Sequence, residues 1–245
     1  MAQAKAKIRL YVEADLGPGQ QVALERDQAH YLFTVMRQEA GGHVLLFNGR
    51  DGEWQAGIVE AGKRGGLLMC DVQTSEQRDA PDLWLCFAPI KKARTDFIAE
   101  KACEMGARRL VPVFTQHTNS ERIKGDRLQA HAIEAAEQCG ITSVPDVAEP
   151  VTLDRLLSDW PEERQILFCD ETGPRPPAGD VLRNAEPGPW AILIGPEGGF
   201  STDEAARLHG MPMAHAVSLG PRILRADTAA VAALTIWQSV LGDWA

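Results

Sequence analysis

WAILIGPEGGF (190–200) is a short apolar strand that runs directly into a glycine-rich turn, and a serine or threonine at 201–202 can cap a following helix. Strands and helices alternate in this way from residue 83 onward, which predicts an α/β fold with a parallel sheet. The other predicted strands are LWLCFAP (83–89), RLVPVF (109–114), QILFCD (165–170) and AHAVSLG (214–220). The predicted helices cover about 92–106, 125–139, 152–160, 202–209 and 226–241.

The N-terminal part of the chain has a different pattern, in which strands dominate. Four stretches indicate strands, namely IRLYVE (8–13), VLLFN (44–48), EWQAGIVE (53–60) and LLMCDV (67–72). One helix is predicted at RDQAHYLFTVMR (26–37), where apolar residues recur at helical spacing. We therefore predict three segments: a small β-barrel-like module over 1–73, a polar linker over 74–82 and the α/β domain over 83–245.

The composition limits the class of protein. With 44% hydrophobic and 24% charged residues in 245, the chain is neither disordered nor fibrous. No apolar run approaches the roughly 20 residues of a membrane span, and the first residues lack the apolar core of a secretory signal. The five cysteines form no Cys-x-x-Cys pair and the histidines no His-x-x-x-His pair. These features predict a cytoplasmic protein with reduced thiols and without a metal site.

The charge is unevenly distributed along the chain. The formal net charge of −9 argues against a nucleic-acid partner. However, residues 129–163 contain eight acidic residues and one basic residue, whereas residues 91–128 contain nine basic and five acidic residues. Because the local potential decides whether a polyanion can dock, the basic stretch leaves RNA binding open. Both stretches can also be solvated helix faces, and composition alone favours that interpretation.

Two glycine-containing turns are candidates for a ligand site. In an open parallel sheet, ligands bind at the carboxyl ends of the strands, where IGPEGGF (194–200) and LGPRILRADTA (219–229) both begin. Glycines let backbone amides approach a ligand, although a strand-end turn with a positive φ also explains them. The first turn is neither a Walker loop nor a dinucleotide fingerprint, which argues against an oxidoreductase. In the second, Asp227 could simply complement a helix dipole, and Arg222 and Arg225 could pair with surface acids.

Two further segments carry charge. KKAR (91–94) follows a predicted strand and could contact phosphates, although a solvated loop explains it as well. EAAEQCG (134–140) places Glu134 and Gln138 on one helix face, as ordinary surface residues would be.

Taken together, these segments resemble a known family. IGPEGGF (194–200), LGPRILRADTA (219–229), KKARTDFIAEKACEMGARRLVPV (91–113), EAAEQCG (134–140) and HYLFTVMR (30–37) are similar to the bacterial family that methylates N3 of uracil-1498 in 16S rRNA of the small ribosomal subunit, within the SPOUT methyltransferase superfamily. The resemblance spans nearly the whole chain, and the combination of the two glycine-containing turns at this spacing is its specific part.

The resemblance implies a fold, a cofactor and an assembly. Family members have an N-terminal PUA-like β-barrel for RNA and a C-terminal α/β domain with a trefoil knot, and they work as homodimers. They bind S-adenosylmethionine through the backbone of the knot loops. In this chain the implied cofactor-binding residues are Leu167, Cys169, Ile194, Gly195, Pro196, Glu197, Gly198, Gly199, Leu219, Gly220, Ile223 and Leu224.

The resemblance also implies an activity and roles for charged residues. The implied activity is S-adenosylmethionine-dependent methyl transfer to the uracil ring nitrogen, which requires neither metal nor covalent nucleophile. The implied catalytic residues are Arg222, Arg225 and Asp227. The RNA contacts are expected from Arg9, His30, Arg37, Lys91, Lys92 and Arg94.

Two positions depart from the family pattern, and two other functions remain open. Asp227 stands where members commonly have glutamate, and Ile141-Thr142-Ser143 stands where many continue with arginine, which removes cations from an implied RNA-facing loop. The alternative functions are 2′-O methylation of ribose in transfer or ribosomal RNA, and RNA binding without catalysis. Nucleoside analysis of the product distinguishes the first alternative from methylation of uracil N3. A measurement of S-adenosylmethionine binding distinguishes the second alternative from an active enzyme.

Overall fold

A computed structural model describes residues 6–119, 123–170 and 172–245 of the chain. The chain divides into two compact units. The N-terminal unit comprises the described residues up to 79 together with 136–144, and the C-terminal unit comprises 80–135 and 145–245.

The N-terminal unit is a five-stranded sheet with one helical segment. The sheet has the order β1-β3-β4-β5-β2, in which β1 pairs with β3 in parallel and the other pairs are antiparallel. Its strands are β1 (Arg9–Tyr11), β2 (Gln21–Ala23), β3 (His43–Phe47), β4 (Glu53–Gly62) and β5 (Gly65–Ser75). The four predicted strands are confirmed, whereas the three-residue β2 is too short for an alternation of apolar and polar residues to show.

The predicted helix over 26–37 is only partly α-helical. One α-helical turn, α1 (Arg26–Ala29), continues as a π-helical segment (His30–Val35). The wider winding is visible in the bond from the N–H of Met36 to the carbonyl oxygen of Tyr31, five residues earlier, at 2.9 Å. Arg37 then takes a positive φ of 53°, which ends the helix.

The C-terminal unit is built on a parallel seven-stranded sheet. Six strands follow the order β12-β10-β11-β6-β7-β8, and β9 pairs with β7. The strands are β6 (Leu83–Phe87), β7 (Arg109–Phe114), β8 (Asp146–Val147), β9 (Val151–Thr152), β10 (Gln165–Cys169), β11 (Trp190–Ile194) and β12 (Ala214–Val217). The five predicted strands and the parallel sheet are confirmed, and the two-residue β8 and β9 are additional.

Helices cover both faces of this sheet. They are α2 (Lys92–Glu104), α3 (Gly125–Cys139), whose last turn belongs to the N-terminal unit, α4 (Leu153–Ser158), α5 (Ala178–Arg183), α6 (Thr202–His209) and α7 (Ala226–Val240). The five predicted helices are confirmed, and the short α5 was not predicted. Among the described residues, no helix has the length and apolar character that crossing a bilayer requires.

The alternation of side chains along β11 shows how the core is divided. Trp190, Ile192 and Ile194 pack into the core under α2, α5 and α7, whereas Ala191 and Leu193 pack into the core under α4 and α6. Burial of β11 on both faces fits its continuous apolar sequence. With the central strands fixed in this way, the carboxyl ends of β10, β11 and β12 lie side by side.

Candidate functional site

A pocket in the C-terminal unit lies at the carboxyl ends of β10, β11 and β12. Its volume is about 430 Å³, which is within the range of sites for small organic ligands. Its walls are formed by residues 169–170, 172–173, 194–197, 199–200 and 217–226, together with Ala205 and Ala229. The position agrees with the general rule that open parallel sheets bind ligands beyond the carboxyl ends of their strands.

The turn after β11 has a tightly packed backbone. The N–H of Gly199 donates to the carbonyl oxygen of Pro196 at 2.9 Å, and Gly199 has a φ of +66°. A side chain at Gly195 would place its Cβ 2.7 Å from the Phe200 ring. That ring packs edge-on against Phe168 of β10, with 5.1 Å between the centroids. The first glycine of the turn is therefore required by the aromatic side chain that closes the same turn.

The segment after β12 presents free backbone groups to the pocket. Gly220 has a φ of +124°, and the hydroxyl of Ser218 accepts the Gly220 N–H at 3.1 Å. The N–H groups of Leu219, Ile223 and Leu224 have no hydrogen-bond partner within the described part of the chain. Because these residues line the pocket, their amides are available to a ligand.

A buried carboxylate anchors the wall that follows β10. Asp170 is 6% exposed, and its Oδ1 accepts the N–H and the hydroxyl of Thr172 at 2.9 and 2.6 Å. Its Oδ2 accepts Nε of Arg175 at 2.9 Å and lies 3.1 Å from Nε2 of His209. Burial by itself raises the pKa of the Asp170 carboxyl, but the hydrogen bonds from Thr172 and Arg175 outweigh it and lower that pKa. The carboxylate therefore stays ionised and holds the wall of the pocket.

The thiol beside this carboxylate is unreactive. Burial raises the pKa of Cys169 to about 12, so its sulfur stays protonated at neutral pH. Cys169 therefore contributes shape to the pocket and no nucleophile.

One arginine connects two segments of the site. Arg94, in the first turn of α2, lies with Nη1 3.3 Å from Oε1 of Glu197 and with Nε 3.6 Å from Oδ2 of Asp227. Asp227 is in the first turn of α7, and its Oδ1 accepts the N–H of Thr228 at 2.8 Å. The turn after β11 and the start of α7 are thereby joined to the start of α2.

Most of the predicted cofactor residues and both predicted catalytic arginines come together in the pocket. The lining contains Cys169, Ile194, Gly195, Pro196, Glu197, Gly199, Leu219, Gly220, Arg222, Ile223, Leu224 and Arg225. Three predicted residues lie outside that lining. Leu167 is fully buried in the core beneath the sheet, Gly198 contacts His117 and Asp227 pairs with Arg94.

The predicted RNA-binding residues have different environments. Lys91 and Lys92 are exposed in the C-terminal unit, and His30 and Arg37 are exposed in the N-terminal unit. Arg9 does not have the exposed position that the prediction of an RNA contact requires. Its side chain is 9% exposed, and its Nε lies 2.6 Å from Oε2 of Glu53. This arginine is an internal structural residue and does not face solvent as an RNA contact would.

The sequence analysis missed several residues of the site. Asp170 and Thr172 form a local turn, for which Asp-x-Thr directly after a predicted strand is a usable signal. A role for Phe200 was not predicted either, although its ring shapes the turn. Arg175 and His209 carry no such signal, because they meet only through the tertiary fold at 3.0 Å. Within the described ranges, no three His, Cys, Asp or Glu side chains are grouped to hold a metal ion.

Family models match both parts of the chain. Residues 77–238 match the model of the RNA methyltransferase domain, and residues 24–68 match that of the RNA methyltransferase PUA domain. Two similar curated proteins are both named ribosomal RNA small subunit methyltransferase E. The one from Rickettsia conorii is 29% identical, covering 92% of this chain and 93% of its own. The one from Synechocystis is 32% identical, covering 87% and 71%.

Solved structures share the fold over nearly the full length. A methyltransferase from Legionella pneumophila, in complex with bound cofactor SAM, has a TM-score of 0.86 and 29% identity, covering 97% of this chain and 99% of its own. The ribosomal RNA small subunit methyltransferase E from Neisseria gonorrhoeae, bound to S-adenosyl methionine, has a TM-score of 0.84 and 26% identity with the same coverage. The predicted α/β class with an N-terminal PUA-like domain is thereby confirmed.

Proposed function

Because the chain belongs to the RNA methyltransferase domain family, we propose that it transfers a methyl group from S-adenosylmethionine to N3 of a uridine, uracil-1498, in 16S rRNA of the small ribosomal subunit. One observation carries the proposal most directly. The pocket at the carboxyl ends of three parallel strands is lined by two glycine-containing turns, and one of them presents backbone amides that have no hydrogen-bond partner among the described residues.

The residues of the pocket fit S-adenosylmethionine. Its amino-acid and adenine groups need hydrogen-bond partners, which the free amides of Leu219, Ile223 and Leu224 can supply. Ile194, Ile223 and Leu224 offer apolar surface to a flat ring. When bound, S-adenosylmethionine supplies a methyl group that is already activated by the positive sulfur. The protein therefore needs to orient the two reactants rather than to provide a nucleophile of its own.

Arg222 and Arg225 are the groups that we assign to the RNA base. Both line the pocket, both are exposed, and within the described ranges neither forms an ion pair. Neutral uracil N3 is a poor nucleophile and must lose its proton, after which negative charge spreads onto the ring carbonyl oxygens. Guanidinium groups at the pocket rim can stabilise that charge and orient the ring. Asp227 takes part through an arginine, because its carboxylate faces Arg94.

The remaining features of the proposal concern access and assembly. N3 lies on the pairing edge of uracil, so the base must be unpaired or flipped out to react. We assign contacts with the RNA backbone to Lys91 and Lys92, and to His30 and Arg37 of the N-terminal unit. We further propose cytoplasmic action as a homodimer, and a trefoil knot formed by the loops 194–199 and 219–224.

The first experiment identifies the methylated nucleoside. Purified protein is incubated with labelled S-adenosylmethionine and with small ribosomal subunits from cells that lack this methylation, and the digested RNA is analysed by mass spectrometry. Labelled 3-methyluridine is expected. Label in a 2′-O-methylated ribose would instead show that the methyl acceptor is a ribose hydroxyl and not N3 of uracil. Absence of both label and cofactor binding would favour an RNA-binding protein without catalysis.

A pair of variants tests the role of the pocket arginines. We expect Arg225→Ala to lower the rate of methyl transfer by on the order of 100-fold, because a charge-stabilising donor is lost from the transition state. The affinity for S-adenosylmethionine, measured by calorimetry, should change much less. Arg183→Ala removes an exposed arginine from α5, outside the pocket lining, and serves as the matched control. Equal losses of rate and affinity in Arg225→Ala would contradict the catalytic assignment.

A further inference from the structure

We infer that Arg94 is a positioning residue that holds the cofactor pocket together, and that it is not an RNA-phosphate contact. The inference rests on the proposed function and names a residue that supports it. In the sequence Arg94 belongs to a run of cations, with Lys91 and Lys92. In the structure these three residues have different environments.

The burial and the pairing of the three cations distinguish them. Lys91 and Lys92 are exposed, whereas the side chain of Arg94 is 31% exposed. Arg94 faces two carboxylates, at 3.3 Å from Glu197 and at 3.6 Å from Asp227. Because Arg94 already faces two carboxylates, its positive charge is offset within the chain, which weakens its attraction for a phosphate.

The backbone around Arg94 is fixed independently of its side chain. The N–H of Arg94 donates to the carbonyl oxygen of Lys91 at 2.8 Å. The buried hydroxyl of Thr95 accepts the N–H of Ile90 and donates to the carbonyl oxygen of Ile90, both at 3.0 Å. The guanidinium therefore projects from an anchored first turn of α2, which makes it a stable reference point for the segments that it joins.

The two segments joined by Arg94 bear on the pocket. Glu197 lies in the pocket lining, in the turn after β11. Asp227 lies at the start of α7, directly after the segment 219–225, whose amides face the ligand. A clamp between the two segments preorganises both walls, so that less conformational entropy is lost when a ligand binds.

The chemistry of the side chain explains why an arginine is needed here. The planar guanidinium presents separate N–H donors, and Arg94 uses Nη1 toward Glu197 and Nε toward Asp227. A lysine offers a single ammonium, which cannot occupy both positions. Arg94→Lys should therefore keep the charge but lose one of the two links. The conservative variant thus separates the bridging geometry from simple charge balance.

The experiment measures cofactor affinity and RNA affinity separately. Binding of S-adenosylmethionine is followed by calorimetry, and binding of a short single-stranded RNA is followed over a range of salt concentrations. For Arg94→Ala we expect cofactor affinity to fall by on the order of tenfold, with the salt dependence of RNA binding unchanged. Arg94→Lys should fall between Arg94→Ala and the unaltered protein.

Lys92→Ala is the matched control, because it removes a neighbouring exposed cation. It should leave cofactor affinity intact and reduce the slope of log affinity against log salt by about 0.7 for single-stranded RNA. The same reduction for Arg94→Ala would overturn the inference, whatever its cofactor affinity. An Arg94→Ala variant with unchanged cofactor affinity would also overturn it.

A double-mutant cycle tests the clamp itself. If Arg94 acts through Glu197, the combined variant Arg94→Ala/Glu197→Gln should lose less cofactor affinity than the two single losses added together. Fully additive losses would overturn the clamp. Failure of the unaltered protein to bind S-adenosylmethionine would refute the proposed function instead. In that case the salt slope would still decide whether Arg94 contacts RNA.

Discussion

Arg9→Ala is expected to destabilise the protein strongly and to leave the charge-driven part of RNA binding unchanged. The side chain of Arg9 is 9% exposed and that of its partner Glu53 is 13% exposed, with 2.6 Å between Nε and Oε2. The guanidinium also lies 4.4 Å from the ring centroid of Phe47. The substitution would leave a largely buried carboxylate without its cation.

The side chain of Arg9 also donates hydrogen bonds to backbone carbonyl groups at the C-terminal end of α3. Its Nη1 donates to the carbonyl oxygens of Ala136 and of Glu137, the latter at 3.1 Å, and its Nη2 donates to that of Ile141 at 2.9 Å. These carbonyl groups lie at and just beyond the last turn of the helix, where few N–H donors follow, although that of Ala136 also accepts the N–H of Ile141 at 3.2 Å. Loss of the arginine therefore also removes a donor from three backbone acceptors.

The expected loss in the free energy of unfolding can be estimated from the buried ion pair. Removing one partner of such a pair costs about 3–5 kcal/mol, because the remaining charge is buried without compensation. This is a large fraction of the roughly 5–15 kcal/mol that stabilises a typical domain. Arg37→Ala removes an exposed arginine from the same unit and should change the free energy of unfolding by less than about 0.5 kcal/mol.

Urea unfolding at one fixed protein concentration measures both variants, because any dimer makes the apparent stability depend on concentration. The combined variant Arg9→Met/Glu53→Leu should be more stable than Arg9→Ala, since it removes both charges and keeps apolar volume. The reasoning would be refuted if Arg9→Ala cost less than about 1 kcal/mol. It would equally be refuted if Arg9→Ala reduced the slope of log RNA affinity against log salt concentration, as the loss of an exposed phosphate contact does.

Three further predictions concern the C-terminal unit. Gly195→Ala should cost about 1–3 kcal/mol and weaken S-adenosylmethionine binding, because the new Cβ meets the Phe200 ring; unchanged affinity in calorimetry would contradict this. The lowered pKa of Asp170 contributes stability that is present above the unfolded-state pKa and is lost as the pH falls through the folded-state pKa. Urea midpoints of Asp170→Asn should therefore be lower at neutral pH and depend less on pH in the acid range. Ser201→Ala removes the cap that accepts the Glu204 N–H and should cost about 1 kcal/mol in urea unfolding.

The longer helices and strands could be predicted because the sequence patterns that indicate them are local. β11 is apolar at every position and ends in a glycine-rich turn, and Gly106 ends α2 with a φ of +72° as expected for that position. The short elements β8, β9 and α5 have too few residues to show a period. The π-helical winding after α1 depends on bonds five residues apart, which an apolar spacing does not distinguish from an α-helix.

The backbone part of the site could also be predicted, because parallel strands bring their carboxyl ends to one edge. The turns at 194–199 and 219–224 were therefore expected at the same edge of the sheet, and the observed strand order β12-β10-β11 brings them close together. The group of Asp170, Arg175 and His209 could not be predicted in full. Its members are close in space only because α6 packs beside the end of β10, a tertiary contact without a sequence signature.

The roles of individual cations were the least predictable part, and the reason is physical. A cation at a strand end looks the same in sequence whether its partner is a phosphate or a carboxylate of the same chain. The carboxylate facing Arg94 through a hydrogen bond is 103 residues away, and the backbone partners of Arg9 are 127 to 132 residues away. Exposure and internal pairing separate the two classes. By that criterion we assign Arg222 and Arg225, which are exposed at the pocket rim and have no ion pair among the described residues, to RNA, and we assign Arg9 and Arg94 to contacts within the protein.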